Sequence, residues 1–247
     1  MLSNKTILLT RPCGREKHLQ QLIESAGGHV IHYPVIEIHT IAPNGNIHEL
    51  LETCSMAIFI SQSAVEHSCT YFSYFPNSIS IVSIGSKTSD SLERHHMHVD
   101  LEAPDHNTES LLQMVEFQPS MIKGQKILIF RGKGGRALLG DTLKNRGAEV
   151  DYIETYARKL PSHKPLTKNQ IASLDAITVS SNEGLDNLVT LMHGTEQIFE
   201  IPLVIPSERA KTLAGKYGFR IIVTAENATD EAELSALTHY FSSESIS

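Results

Sequence analysis

Ile7-Leu8-Leu9-Thr10-Arg11 and Ile127-Leu128-Ile129-Phe130-Arg131 read alike at a separation of 120 residues. Extending both stretches without a gap brings Gly14 to Gly134, Leu19 to Leu139, Ile23 to Leu143, Gly27 to Gly147 and Val30 to Val150. Each copy reads as strand, Gly-containing turn, helix, Gly stop and strand. In the first copy Leu19, Leu22, Ile23 and Ala26 form one helical stripe. Gly27 and Gly147 stand where a left-handed helix cap is wanted. Each copy is a βαβ unit, which implies parallel strand pairing.

A second pair recurs at nearly the same spacing. Ala57-Ile58-Phe59-Ile60-Ser61 resembles Ala176-Ile177-Thr178-Val179-Ser180, and Ser80 to Leu92 resembles Pro202 to Leu213. Asp105-His106-Asn107-Thr108-Glu109 and Asn227-Ala228-Thr229-Asp230-Glu231 each precede a stripe, Leu111-Leu112-Val115 and Leu234-Leu237-Phe241. Asn or Thr serves there as N-cap, with acids in the first turn. Strands alternating with helices predict a doubly wound parallel sheet in each of two α/β lobes. Two segments lie outside the repeat, Glu37 to Asn46 with Pro43-Asn44-Gly45, and Thr155 to Lys168 with Pro161 and Pro165. They are the expected linkers.

Composition narrows the function. The 247 residues carry a net charge of −7 without a Lys/Arg-rich run, and Trp is absent. That argues against nucleic acid, which needs a concentrated basic surface and stacking aromatics. No apolar run reaches the ~20 residues of a membrane helix. The start runs directly into Ile7-Leu8-Leu9, leaving no room for a signal peptide, so the expected location is the cytoplasm. Cys13, Cys54 and Cys69 are odd in number and lack metal-type spacing, which fits a reduced compartment.

In open parallel sheets, ligands gather beyond the carboxyl ends of strands, where helix starts present unpaired amides. The turns there are Thr10-Arg11-Pro12, Ser61-Gln62-Ser63, Gly85-Ser86-Lys87-Thr88, Arg131 to Arg136, Ser180-Ser181-Asn182, Ser207-Glu208-Arg209 and Thr224. Any one hydroxyl in such a place is first a helix cap. Recurrence at strand end after strand end is what points to an anionic ligand held between the lobes. Arg131-Gly132-Lys133-Gly134-Gly135-Arg136 has neither P-loop order nor dinucleotide-fingerprint spacing, so no nucleotide is expected. His95-His96-Met97-His98 lacks a carboxylate or Cys at ligand spacing and reads as solvated surface rather than a metal site. No Gly-x-Ser-x-Gly elbow accompanies Ser61 or Ser180. Tyr156 stands at the entrance to the second linker, where a phenol can donate a proton to a leaving oxygen.

Taken in order over nearly the whole chain, these motifs resemble the bacterial uroporphyrinogen-III synthases. The resemblance rests on Ile7 to Pro12, Pro34 to Ile38, Ile60 to Val65, Ile84 to Thr88, Arg131 to Arg136, Val150 to Tyr156, Val179 to Asn182 and Thr224-Ala225. It implies two flavodoxin-like lobes joined by a two-stranded linker. Residues 1–36 with 170–247 would form the first, 46–153 the second, and 37–45 with 154–169 the linkers. The implied reaction closes hydroxymethylbilane to uroporphyrinogen III with loss of water and inversion of ring D through a spiro intermediate, with no metal or organic cofactor. Such an enzyme would work as a monomer. By resemblance Tyr156 assists departure of the hydroxyl. Ser61, Ser63, Thr88, Ser180, Ser181, Ser207 and Thr224 would face substrate, with Arg11, Lys87 and Arg209 as carboxylate partners. Gly85, Ser86, Asn182 and Arg131 join them from the strand-end turns. The counterpart of Gly85-Ser86-Lys87-Thr88 reads Pro206-Ser207-Glu208-Arg209, a departure that weakens assignments to that turn. A non-catalytic two-lobed binding or regulatory protein would share the repeat.

Overall fold

The computed structural model describes residues 2–72 and 75–244. The chain divides into two compact units, residues 1–37 with 159–247 and residues 38–158. It begins in the first unit with β1 (Thr6–Leu9), α1 (Lys17–Ser25) and β2 (His29–His32). The second unit runs through β3 (Glu37–Thr40), α2 (Ile47–Thr53), β4 (Met56–Phe59), α3 (Gln62–Ser68), β5 (Ser80–Ser83) and α4 (Ser86–Arg94). It continues with β6 (Leu101–Glu102), α5 (Thr108–Gln113), α6 (Pro119–Ile122), β7 (Lys126–Gly132), α7 (Leu138–Asn145) and β8 (Glu149–Lys159). The first unit is then completed by α8 (Lys168–Ala172), β9 (Ala176–Thr178), α9 (Asn182–Leu191), β10 (Leu203–Ile205), α10 (Glu208–Tyr217), β11 (Ile222–Thr224) and α11 (Asp230–Glu244). No helix among the described residues is long and apolar enough to cross a membrane.

The first sheet has the order β2-β1-β9-β10-β11, all parallel, which is the flavodoxin-like arrangement. The second reads β3-β8-β7-β4-β5-β6, parallel from β8 to β6. The sequence repeat matches β1 with β7, β2 with β8, β9 with β4 and β10 with β5. In space the matched strands take the same places, although the second unit's chain enters at β4 and reaches β7 and β8 last. The repeat is therefore one architecture threaded in two orders. Strand order reverses between β1 and β9 in one unit and between β7 and β4 in the other.

Strands buried on both faces need apolar residues at every position, and alternate residues feed opposite layers. Ala57, Phe59, Leu128, Phe130, Ile153 and Tyr156 pack on one face of the second sheet. Met56, Ile58, Ile127, Ile129 and Val150 pack on the other. In the first unit Ile7, Leu9, Leu19, Ile23, Leu237 and Phe241 share one core.

Both expected Gly stops are left-handed, with φ of +88° at Gly27 and +94° at Gly147. Each closes a double-bonded helix end, Gly28 N–H to Ile23 O and Ala148 N–H to Leu143 O being the outer bonds at 3.0 and 3.1 Å. Asn107 caps α5 by accepting the Ser110 amide at 2.8 Å, and Thr229 stands before α11, accepting the Ala232 amide at 3.3 Å. The stripe through Val115 fails: α5 ends at Gln113, and Val115 opens a short 3₁₀ turn, 66% exposed. His95 to His98 turn out to be a helix stop. His96 takes φ +61°, and the Met97 amide reaches back to Leu92 O at 3.0 Å.

Candidate active site

Parallel pairing collects the carboxyl ends of the strands on one edge of each sheet, where helix starts leave amides unpaired. In the first unit Ser181 caps α9 by accepting the Gly184 amide at 3.0 Å. Ser207 caps α10 through the Ala210 amide at 3.3 Å. Each such cap contributes about 1 kcal/mol. Asn182 follows the first cap, half-buried, while Arg209 is exposed on α10. Thr224 ends β11 with a buried Oγ1 that has no hydrogen-bond partner among the described residues.

Arg11 follows β1 at the point where strand order reverses. Its guanidinium is committed on every side. Nη1 pairs with Asp230, Nη2 with Glu233 at 2.8 Å, and Nε donates to Ser180 Oγ at 2.9 Å. Ser180 in turn donates to Glu233 at 2.7 Å. Burial opposes the Arg11 charge, yet Glu233 and Asp230 outweigh it and hold the guanidinium pKa above its ordinary value.

In the second unit Ser61 caps α3, accepting the Ala64 amide at 3.1 Å. Its Oγ also lies 3.0 Å from Tyr156 Oη. Tyr156 sits on β8, opposite Gly132 of β7. A Cβ on Gly132 would fall 2.6 Å from two ring carbons of Tyr156. The ring thus crosses β7 where a side chain is missing and reaches the end of β4. The Arg158 guanidinium lies 5.8 Å from the ring centroid, and the His67 ring 5.7 Å away. Gly85 caps α4 in an extended conformation, and a Cβ there would strike His106 at 2.8 Å. Ser86 and Lys87 are exposed in the first turn of α4. Among the described residues no group of three or more His, Cys, Asp or Glu is arranged to hold a metal ion.

The family model described as "Uroporphyrinogen-III synthase HemD" matches residues 17–235. The chain belongs to the uroporphyrinogen-III synthase family. It is 30% identical to the uroporphyrinogen-III synthase of Escherichia coli over 94% of this chain and 99% of that protein. The fold is shared with the synthase structure from Helicobacter pylori, at a TM-score of 0.63 and 14% identity, over 96% of this chain and 99% of the other. A mutant synthase from Thermus thermophilus aligns at 0.59 and 12%, over 98% and 100%. Membership makes the chain an enzyme of the lyase class in porphyrin and heme biosynthesis.

Against the uroporphyrinogen-III synthase expectations, several placements need correction. Arg11 is not a free carboxylate partner, because two buried acids already hold it. Arg131 is 5% exposed and braces its own turn, donating to Gly132 O and Arg136 O, each at 3.2 Å. A Cβ on Gly135 would fall 2.8 Å from Arg131 Nη2, so the Gly-rich turn is shaped around that side chain. Ser63 and Thr88 are buried. Tyr156 lies within β8, which continues through it: the Lys133 amide bonds its carbonyl at 2.7 Å and the Ile41 amide bonds Thr155 O at 2.9 Å. The ring is 2% exposed. Ser61 corresponds to Ser181 as a cap, one residue beyond the Ser180 pairing read from the repeat.

What the strand ends bring together is Arg11 with Ser180 in the first unit and Ser61 with Tyr156 in the second. Ser181 and Asn182 adjoin the former. Ser207, Arg209 and Thr224 stand at neighbouring strand ends of the first sheet, and Gly85 to Thr88 at a neighbouring end of the second. Sequence reading missed Asp230 and Glu233 as partners of Arg11, since they lie 219 and 222 residues away along the chain. It also missed Gly132, whose only signal was a glycine next to a strand.

Proposed function

We propose that the chain binds hydroxymethylbilane and closes it to uroporphyrinogen III, with loss of water and inversion of ring D, as a cytoplasmic monomer. The observation that carries this reading is the relationship to the Escherichia coli synthase over nearly the full length of both chains. The chemistry at the strand ends supports it. Hydroxymethylbilane carries eight carboxylates on a flexible chain, so dispersed amides and hydroxyls suit it better than one basic pocket. Each helix start favours an anion by only about 0.3–1 kcal/mol, so several must act together. Ser181, Asn182 and Ser207 on one sheet edge, and Ser61, Gly85 and Ser86 on the other, offer such donors. Exposed Lys87 and Arg209 supply charge. The buried Ser63 and Thr88, and Ser180 and Thr224, shape these turns from behind.

The pyrrole itself drives loss of the hydroxyl, because its nitrogen stabilises the cation left on the methylene carbon. The protein's task is to bring the substituted carbon of ring D to that methylene ahead of direct closure, which is a gain in orientation. Tyr156 assists the departing hydroxyl. Incubating the purified chain with hydroxymethylbilane and separating the isomers by chromatography tests the reading. Type III is expected in excess over type I, and type I alone, the spontaneous product, refutes it.

A further inference from the structure

A buried phenol raises a question that the synthase reading leaves open: how its proton reaches a substrate. Tyr156 is 2% exposed, whereas Ser61 is half-buried at the end of β4. The two oxygens are 3.0 Å apart. They sit where β4 and β7 part in chain order, the place in an open parallel sheet where ligands are received.

The direction of this hydrogen bond follows from counting donors. Tyr156 Oη has Ser61 as its hydrogen-bond partner among the described residues. Were Ser61 the donor, the phenol proton would face the interior without an acceptor, at a cost of about 1–3 kcal/mol. Tyr156 therefore donates. A serine hydroxyl has two acceptor positions and one proton. The Ala64 amide occupies one position at 3.1 Å and the phenol takes the other. The proton of Ser61 is left without a protein acceptor, on the hydroxyl nearer the sheet edge.

We propose that Ser61 is a catalytic residue of this enzyme, the group that touches the departing hydroxyl, with Tyr156 supplying the proton from behind it. The proposal rests on the synthase reading above. The bond between the methylene carbon and the hydroxyl oxygen breaks, and its electron pair leaves with oxygen. That oxygen takes the Ser61 proton and departs as water. Ser61 takes the Tyr156 proton in the same step, leaving a phenolate whose ring lies beside the Arg158 guanidinium, 5.8 Å from the ring centroid. When the closed macrocycle sheds a proton to restore its last pyrrole, that proton returns through Ser61 to Tyr156. Nothing is oxidised or reduced. Gly132 is a positioning residue in this scheme, because only a missing side chain lets the ring pass over β7.

The test is a single-turnover measurement of type III formation from hydroxymethylbilane, in H2O and D2O. The variants are Ser61→Ala, Ser61→Gly, Ser61→Thr, Tyr156→Phe and Ser61→Ala with Tyr156→Phe. Proton donation by a placed group is worth about 100-fold or more, so Ser61→Ala and Tyr156→Phe should each slow the reaction by about that factor. The double variant should be no slower than the slower single one, because one route is lost once. Ser61→Thr restores the hydroxyl and should recover most of the rate. Glycine preserves a helix start to within a few tenths of a kcal/mol, so equal losses in Ser61→Gly and Ser61→Ala assign the effect to the hydroxyl rather than the cap. The solvent isotope effect should disappear in both Ser61→Ala and Tyr156→Phe. Full rate in Ser61→Gly beside a crippled Tyr156→Phe overturns the relay and leaves Tyr156 acting directly. Losses that multiply in the double variant overturn it too. If the unaltered chain yields only type I, the synthase reading itself fails, and the relay with it.

Discussion

Replacing Arg11 by Met would strand two acids in the first unit. The side chains of Asp230 and Glu233 are 6% and 1% exposed, so water cannot take the place of the guanidinium. Asp230 would keep His18 Nδ1 at 2.6 Å. Glu233 would keep only the Ser180 hydroxyl, and its Oε2 is already buried without a partner. Removing one member of a buried ion cluster costs about 3–5 kcal/mol. For a unit of about 125 residues this is a fall in melting temperature of about 10–20 °C. Urea unfolding followed by circular dichroism measures the loss, since the chain has no Trp to report by fluorescence.

The pH dependence gives the prediction its sign. In the unaltered chain the Arg11 pKa is raised, so its stabilisation is present at all pH values below the ordinary arginine range and is lost only above it. Between pH 5 and 8 this contribution is flat. Adding Glu233→Gln to Arg11→Met removes the worse-placed charge and should recover stability. A loss below about 1 kcal/mol, or a double variant weaker than the single one, would refute the argument that this cluster is held by charge pairing.

Two further outcomes follow from close packing and burial. Gly132→Ala places a methyl 2.6 Å from the Tyr156 ring and should cost about 1–3 kcal/mol in urea unfolding; an unchanged midpoint would mean the ring moves aside freely. Burial pushes the Cys54 and Cys69 thiols up to about 11, whereas Cys13 is exposed. Iodoacetamide near neutral pH should therefore modify Cys13 first by mass spectrometry, with Cys54 and Cys69 gaining reactivity as pH rises toward 11, because the thiolate is the nucleophile. Equal early labelling of all three would contradict it.

Periodic features were legible from the chain alone. Strands such as Ile127 to Phe130 declare themselves by unbroken apolar runs, and Gly27 and Gly147 mark helix ends because few other residues accept a positive φ. The caps Ser61, Ser181, Ser207 and Asn107 were legible for a similar reason, since their bonds reach only three residues ahead. Val115 misled because its spacing fits the stripe, yet α5 ends at Gln113. Arg11 and Arg131 misled in another way. A sequence shows that an arginine stands at a strand end, but what its five donors meet depends on the side chains folded around it.

By itself, then, the amino-acid order determined the repeat, the parallel lobes and the helix starts, all of which arise from interactions within a few residues or from a period. Only the tertiary structure decided that both lobes share one strand order despite their different threading. It alone brought Asp230 and Glu233 to Arg11 and carried Tyr156 across Gly132 to Ser61. Those contacts join residues scores to hundreds of positions apart, and no local rule links such pairs until the sheets bring their strand ends side by side.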